Sequence, residues 1–115
     1  MNLSIYKELD SDTLSLKVLC LYAYSLNECT PKTIEKFAKK ECVSKSDLYR
    51  KIIGLQNRGW LFRIGFDWAS RETVWMIMPE LCIPLYVYML SYHKEWLQGF
   101  SLLYSGQKKT IYICK

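Results

Sequence analysis

Histidine occurs once in this chain, at His93, and no two cysteines stand in Cys-x-x-Cys spacing. The five cysteines, Cys20, Cys29, Cys42, Cys82 and Cys114, are odd in number. That pattern argues against a disulfide framework and against a zinc site, because both need paired ligands at set spacings. The thiols read instead as small apolar core residues. Cys42 lies among Lys39, Lys40 and Lys45, which favour a thiolate, but a core thiol at a turn is the simpler reading. The few glycines do not gather into a phosphate-binding loop, and no HExxH or nucleophile-with-base arrangement is present. Catalysis is therefore not expected, nor is a cofactor or a metal.

Long apolar runs are also missing. The longest uncharged run, Leu81 to His93, is broken by Pro84 and falls short of the about 20 residues that span a bilayer. Met1 to Asp10 holds neither the basic start nor the apolar centre of a signal peptide. The expectation is a cytoplasmic protein with no membrane partner. What the chain does have is apolar material: 50% of its 115 residues are hydrophobic and 15% aromatic. That suffices for one packed core, and no linker or repeat divides the sequence, so one domain over 1–115 is expected.

Charge is unevenly placed. The whole chain carries +5, yet residues 30–63 alone hold nine Lys and Arg against Glu35, Glu41 and Asp47. Clustered positive charge creates the local field that phosphate binding requires. A solvated helix face would look the same by charge alone.

Local signals fix an order of elements. Asp10, Ser11 and Asp12 offer caps for a helix over 12–27 that is apolar on a wide face. Thr30-Pro31 starts a second helix reaching Lys40. Ser44, with Asp47 three residues on, starts a third, whose Leu48, Ile52 and Leu55 make an inward stripe. Gly59 is placed to end it in a left-handed conformation. From Trp60 the period changes to two, through Phe62, Ile64 and Phe66, and Thr73 to Met78 supplies a second strand. Residues 81–98 read as a fourth helix, apolar nearly all round. Leu85, Tyr88, Met89, Tyr92 and Trp96 form one face and are the expected interface with a second subunit or another protein. A second hairpin is expected within 99–115, from the runs Phe100 to Tyr104 and Thr110 to Cys114.

The stretches Thr30-Pro31-Lys32-Thr33-Ile34-Glu35-Lys36-Phe37-Ala38-Lys39-Lys40 and Val43-Ser44-Lys45-Ser46-Asp47-Leu48, with Leu55, Gly59 and Trp60-Leu61, resemble the winged helix-turn-helix superfamily. The layout is similar to that of the MarR and ArsR regulators. Ala38 near the end of the motif's first helix, the Val43-Ser44 turn and the Gly59-Trp60-Leu61 exit each fit the pattern, over about residues 12–80. Cys42 in the turn and Gly54 within the third helix depart from it.

The resemblance implies an α+β winged helix with an extra helix and hairpin, and a transcriptional regulator that binds double-stranded DNA as a homodimer. The third helix would enter the major groove with Lys45, Ser46, Tyr49, Arg50, Ile53 and Asn57. Arg50 suits guanine and Asn57 suits adenine. Lys51 and Arg58 on the flanks, and Lys32 at the second helix's start, suit phosphate. Trp68, Ser70 and Arg71 at the wing tip would reach the minor groove or backbone. The alternative is a winged-helix module for protein interaction, or a part of a larger nucleic-acid-processing assembly. Asp47, Glu72 and the tryptophan on the wing speak for that alternative.

Overall fold

The computed structural model describes residues 9, 11–25, 29–69 and 71–103. Among these are five α-helices and one antiparallel hairpin, an α+β arrangement. The order is α1 (Thr13–Tyr24), α2 (Pro31–Lys40), α3 (Lys45–Asn57), β1 (Leu61–Asp67), β2 (Glu72–Ile77), a short 3-10 turn (Pro79–Leu81), α4 (Cys82–Tyr92) and α5 (Lys94–Leu103).

Of the three candidate caps for α1, Asp12 performs the role. Its carboxylate accepts from the Ser15 amide at 3.2 Å and the Ser15 hydroxyl at 2.8 Å. The helix buries Ser15, Leu16 and every residue from Val18 to Ala23. It lies at the centre, in contact with α3, α4, α5 and β2. Its one charged residue, Lys17, lies largely covered, with its amine 2.9 Å from Glu41 and 5.6 Å from the centre of the Trp96 ring. A cation on a dry helix needs such partners, because an unpaired buried charge is costly.

Helices α2 and α3 begin as their sequences dictate. Thr30 caps α2 through the Thr33 amide and Ser44 caps α3 through the Asp47 amide. They also end alike. After α3, Gly59 takes φ +80°, with its amide bonded to the Gln56 carbonyl and the Trp60 amide to the Leu55 carbonyl. After α2, Cys42 takes φ +58°, with its amide on Lys39 and the Val43 amide on Ala38. Both are paired-bond exits through a left-handed residue. The cysteine that breaks the sequence pattern thus stands where glycine would be unstrained. It is exposed, not in the core, as the sequence reading had it. Cys20 and Cys29 are buried as expected, Cys82 is half-buried and Cys114 lies outside the described residues.

The strands pair from Leu61–Ile77 to Asp67–Glu72, with a bulge between Arg63 and Gly65. Leu61, Trp75 and Ile77 face the core, whereas Phe62, Ile64 and Phe66 are exposed. The period-two alternation is broken at Ile64, the extra residue of the bulge, so that Phe62, opposite Met76, and Phe66, opposite Thr73, lie on different faces of the hairpin.

The C-terminal part corrects two expectations. A single helix over 81–98 is instead two, separated at His93, whose backbone leaves helical angles at φ −142° and ψ 54°. The ring of His93 lies parallel to Trp96 at 3.8 Å between centroids. Its nitrogens lie 3.3 Å from the Tyr88 hydroxyl and 3.2 Å from Glu95. The first run of the expected second hairpin, Phe100 to Tyr104, is helical through Leu103. Its Trp96, Phe100 and Leu103 recur at helical spacing on a buried face. Tyr104 and the second run lie outside the described residues.

The expected interface residues divide in the same way. Leu85, Met89 and Trp96 are buried within the chain's own core, because α1 needs them as cover, and Tyr88 is half-buried. Only Tyr92 is largely open. The exposed apolar side of α4 consists of Ile83, Tyr86, Val87 and Leu90, with Tyr92 at its end.

A left-handed residue that carries a Cβ costs about 1–2 kcal/mol relative to right-handed geometry. Cys42→Gly is therefore expected to raise the urea midpoint of unfolding, by an amount equivalent to roughly 1 kcal/mol. Cys42→Ala keeps the Cβ and is expected to leave the midpoint near that of the wild type.

Candidate nucleic-acid interface

Helix α3 presents three different sides. Leu48, Ile52 and Leu55 point into the core. Ser46, Arg50, Ile53 and Asn57 are exposed and recur at i, i+4, i+7 and i+11, one continuous stripe. Gly54 borders that stripe, and nothing lies within 4 Å of where its Cβ would stand. The glycine therefore reflects no tight packing, and its cost to the helix is uncompensated by contact.

The third side carries the two tethers. Tyr49 is half-buried, its ring against Trp75 at 5.8 Å and its hydroxyl donating to Glu72 at 3.2 Å. Burial, then the Glu72 charge and hydrogen bond, raise the tyrosine pKa, so the hydroxyl stays a donor. Lys45 pairs with the same Glu72 at 2.5 Å and with Glu35 at 3.8 Å. Lower on the helix, the Trp75 indole donates to Gln56. Glu72 thus bolts the start of β2 to the start of α3, and fixes the hairpin beside the helix. From the sequence, Glu72 stands only as a feature that favours a protein-interaction module. Its partners lie more than twenty residues away in the chain, so no local pattern marks them.

Lys51 leaves α3 in another direction. Its amine donates to the Asp12 cap at 3.1 Å, which ties α3 to the first turn of α1. Burial opposes the Asp12 charge, but the bonds from Ser15 and Lys51 outweigh it and hold the carboxyl below its ordinary value of 3.8.

The basic residues expected on one face are therefore dispersed. Lys45 and Lys51 flank the exposed stripe on opposite sides, each engaged with carboxylates of the chain. Arg50 is the most open cation of α3, with 79% of its side chain exposed, and its one ion pair, to Asp47, is long at 3.6 Å. Such a contact is weak and readily exchanged. Ser46 is exposed, 3.3 Å from the Ser44 hydroxyl. Asn57 and Arg58 are exposed at the other end, where the Arg58 guanidinium lies 5.6 Å from the Trp60 ring centre. Lys32 is exposed on the first turn of α2.

The hairpin closes through Trp68 to Arg71. The Arg71 amide bonds to the Asp67 carbonyl at 2.7 Å, and the Ala69 amide to the Asp67 side chain at 3.0 Å. Arg71 is exposed and left-handed at φ +60°. Trp68 is 82% exposed. Ser70 lies outside the described residues. Arg63 on β1, which sequence reading did not select, is exposed as well. Among the described residues, Lys32, Arg58, Arg63 and Arg71 have no carboxylate partner. No helix among the described residues is long and apolar enough to cross a membrane. No family model matches the chain, and neither a curated protein nor a solved structure does.

The Asp12 geometry carries a pH signature. A carboxyl with a lowered folded-state pKa contributes stability above its ordinary value of 3.8 and loses it as pH falls through the folded-state pKa. Asp12→Asn is expected to lower the denaturation midpoint at neutral pH. The gap from the wild type should close as the pH is taken below 3.8, in urea titrations run at a series of pH values.

Proposed function

We propose that this chain is a winged helix-turn-helix protein that binds double-stranded DNA through the outer stripe of α3 and the hairpin beside it. The carrying observation is the split of α3: its apolar stripe is buried while Ser46, Arg50, Ile53 and Asn57 lie open along one side. An exposed helix edge with an arginine and an amide suits the donor and acceptor pattern of a major groove. Arg50 is the residue for guanine and Asn57 for adenine. Ile53 between them suits a thymine methyl. Lys32, Arg58, Arg63 and Arg71 supply phosphate contacts around that edge. Lys45, Tyr49 and Lys51 act differently from the sequence expectation, since they hold α3 in place through Glu72 and Asp12.

Binding rather than catalysis is proposed because the sequence carries no nucleophile-with-base pattern and its one histidine is engaged. Both nitrogens of His93 are engaged, and burial pushes the Cys20 thiol up to about 12. A regulator of transcription is the role that the reading favours.

The second partner is proposed to be another copy of the chain, docked through the open side of α4. Cys82–Tyr92 contains no charged residue, in a chain of net charge +5. Two like-charged copies can approach there without repulsion, and Ile83, Val87 and Leu90 repeat at i, i+4 and i+7. Two recognition helices about one helical turn of DNA apart would then meet successive major grooves.

Binding to random duplex DNA is expected to weaken steeply as salt is raised, in anisotropy titrations. Arg50→Ala should weaken the best sequence by about 1–3 kcal/mol, while Arg58→Ala should weaken all sequences alike and flatten the salt slope. If the wild type binds no duplex at low salt, a protein-interaction module becomes the better reading. In light scattering at micromolar concentration the mass of a dimer is expected. Val87→Glu, at a residue 54% exposed, should yield the monomer without unfolding it.

A further inference from the structure

The hairpin carries apolar surface that duplex contact does not use. Phe66 on β1 is 38% exposed and Trp68 at the turn is 82% exposed, and the bulge at Ile64 puts Phe66 on the same face of the hairpin as Arg63. Phe66 and Trp68 meet edge to face at 4.9 Å, so the pair is held as a unit and not splayed. Water-facing aromatics of this size are costly on a short two-stranded ribbon, where Thr or Lys would serve the strand equally well.

The charge around them is one-sided. Arg63 lies within β1 and Arg71 beside the turn, both exposed, and Arg58 lies over Trp60 where β1 begins. The two carboxylates of the hairpin are turned to internal duties. Asp67 accepts from the Ala69 amide within the turn, and Glu72 is held by Lys45 and Tyr49. What the ribbon offers outward is therefore aromatic and cationic together. A protein partner of ordinary composition would call for apolar surface with balanced charge. A polyanion with flat apolar faces fits both features at once, and unpaired nucleotides are such a ligand.

We propose that Phe66 and Trp68, with Arg63 on the same face of the hairpin and Arg71 beside the turn, form a stacking site for the unpaired bases of single-stranded DNA adjoining the duplex. The arginines meet the phosphates and the rings receive the bases. The site rests on the reading of the basic surface as nucleic-acid binding, and adds to it a preference for duplexes that end in a single-stranded extension. Paired bases in the interior of a duplex have their faces covered and cannot stack on it. The selectivity is for an exposed base face and not for sequence, since every base has one.

The test compares three fluorescein-labelled probes against the full chain: a blunt duplex, the same duplex with a thymidine overhang, and the overhang strand alone. The overhang is expected to tighten binding, and Trp68→Ala to remove that gain, a loss of roughly five- to hundred-fold on the overhang probe. The readout is the ratio of overhang to blunt affinity within each protein, which Trp68→Ala should bring to about one. Trp68→Phe keeps a ring and should retain the overhang gain. Titration with the overhang strand should quench the intrinsic fluorescence of the wild type more than that of Trp68→Phe, because the quenched indole is then missing. Trp68 is open to solvent, so these variants retain the fold, and circular dichroism checks this. Equal affinity for blunt and overhang duplexes, with no quench, would overturn the stacking site and leave duplex binding intact. Binding of the overhang strand without the blunt duplex would keep the stacking site and overturn the major-groove reading. Failure to bind any probe at low salt would overturn both, and assign the aromatic ribbon to a protein.

Discussion

Helix α1 contains one charged residue in its twelve and must be covered on almost every side. The rest of the fold follows from meeting that demand. Helix α3 and β2 cover it from one direction with Leu48, Ile52, Leu55 and Ile77, and α4 from another with Leu85 and Met89. The remaining gap, around Lys17, is closed by Glu41 at the end of α2 and by the Trp96 face on α5. The break at His93 belongs to the same solution. A straight helix from 82 to 103 would carry its second half away from α1, whereas the turn brings Trp96 and Phe100 back onto it. Three of the side chains that looked like an intersubunit surface are consumed in this way.

The placement of α3 depends on two carboxylates that are far apart in sequence. Asp12 holds Lys51 and Glu72 holds Lys45 and Tyr49, one on each side of the helix. Between these anchors the exposed stripe is left open. These anchors fix the roll of α3 about its own axis, since a rotation of one residue's worth would replace Arg50 by Lys51 at the surface. The charges that most resembled DNA contacts by composition are thus better understood as those that set the roll. The open face is less basic than the chain segment that contains it.

Elements declared by neighbours in the chain were legible. Asp12, Thr30-Pro31, Ser44 and Gly59 each mark a helix end by local chemistry, and the structure places the ends there. The inward stripe of α3 and the period change after Gly59 were legible for the same reason. What escaped was non-local. Nothing near Glu72 announces Tyr49, and nothing near Cys42 says that a non-glycine residue will take the left-handed exit. An all-round apolar helix such as 81–98 has no polar side to show which face is buried, so Leu85 and Val87 looked equivalent. Only packing against α1 tells them apart. Likewise the alternation of Phe62, Ile64 and Phe66 in the sequence hides the bulge at Ile64, which puts Phe62 and Phe66 on different faces.

The covering of α1 also has a consequence for how the chain is made. Emerging from the ribosome at roughly 5–20 residues per second, α1 precedes by seconds the α4 and α5 segments that shield it. Through that interval Val18, Leu19 and Leu21 have no native cover on those sides. The growing chain therefore exposes apolar surface until α4 and α5 are made, and its core closes only when those two helices arrive.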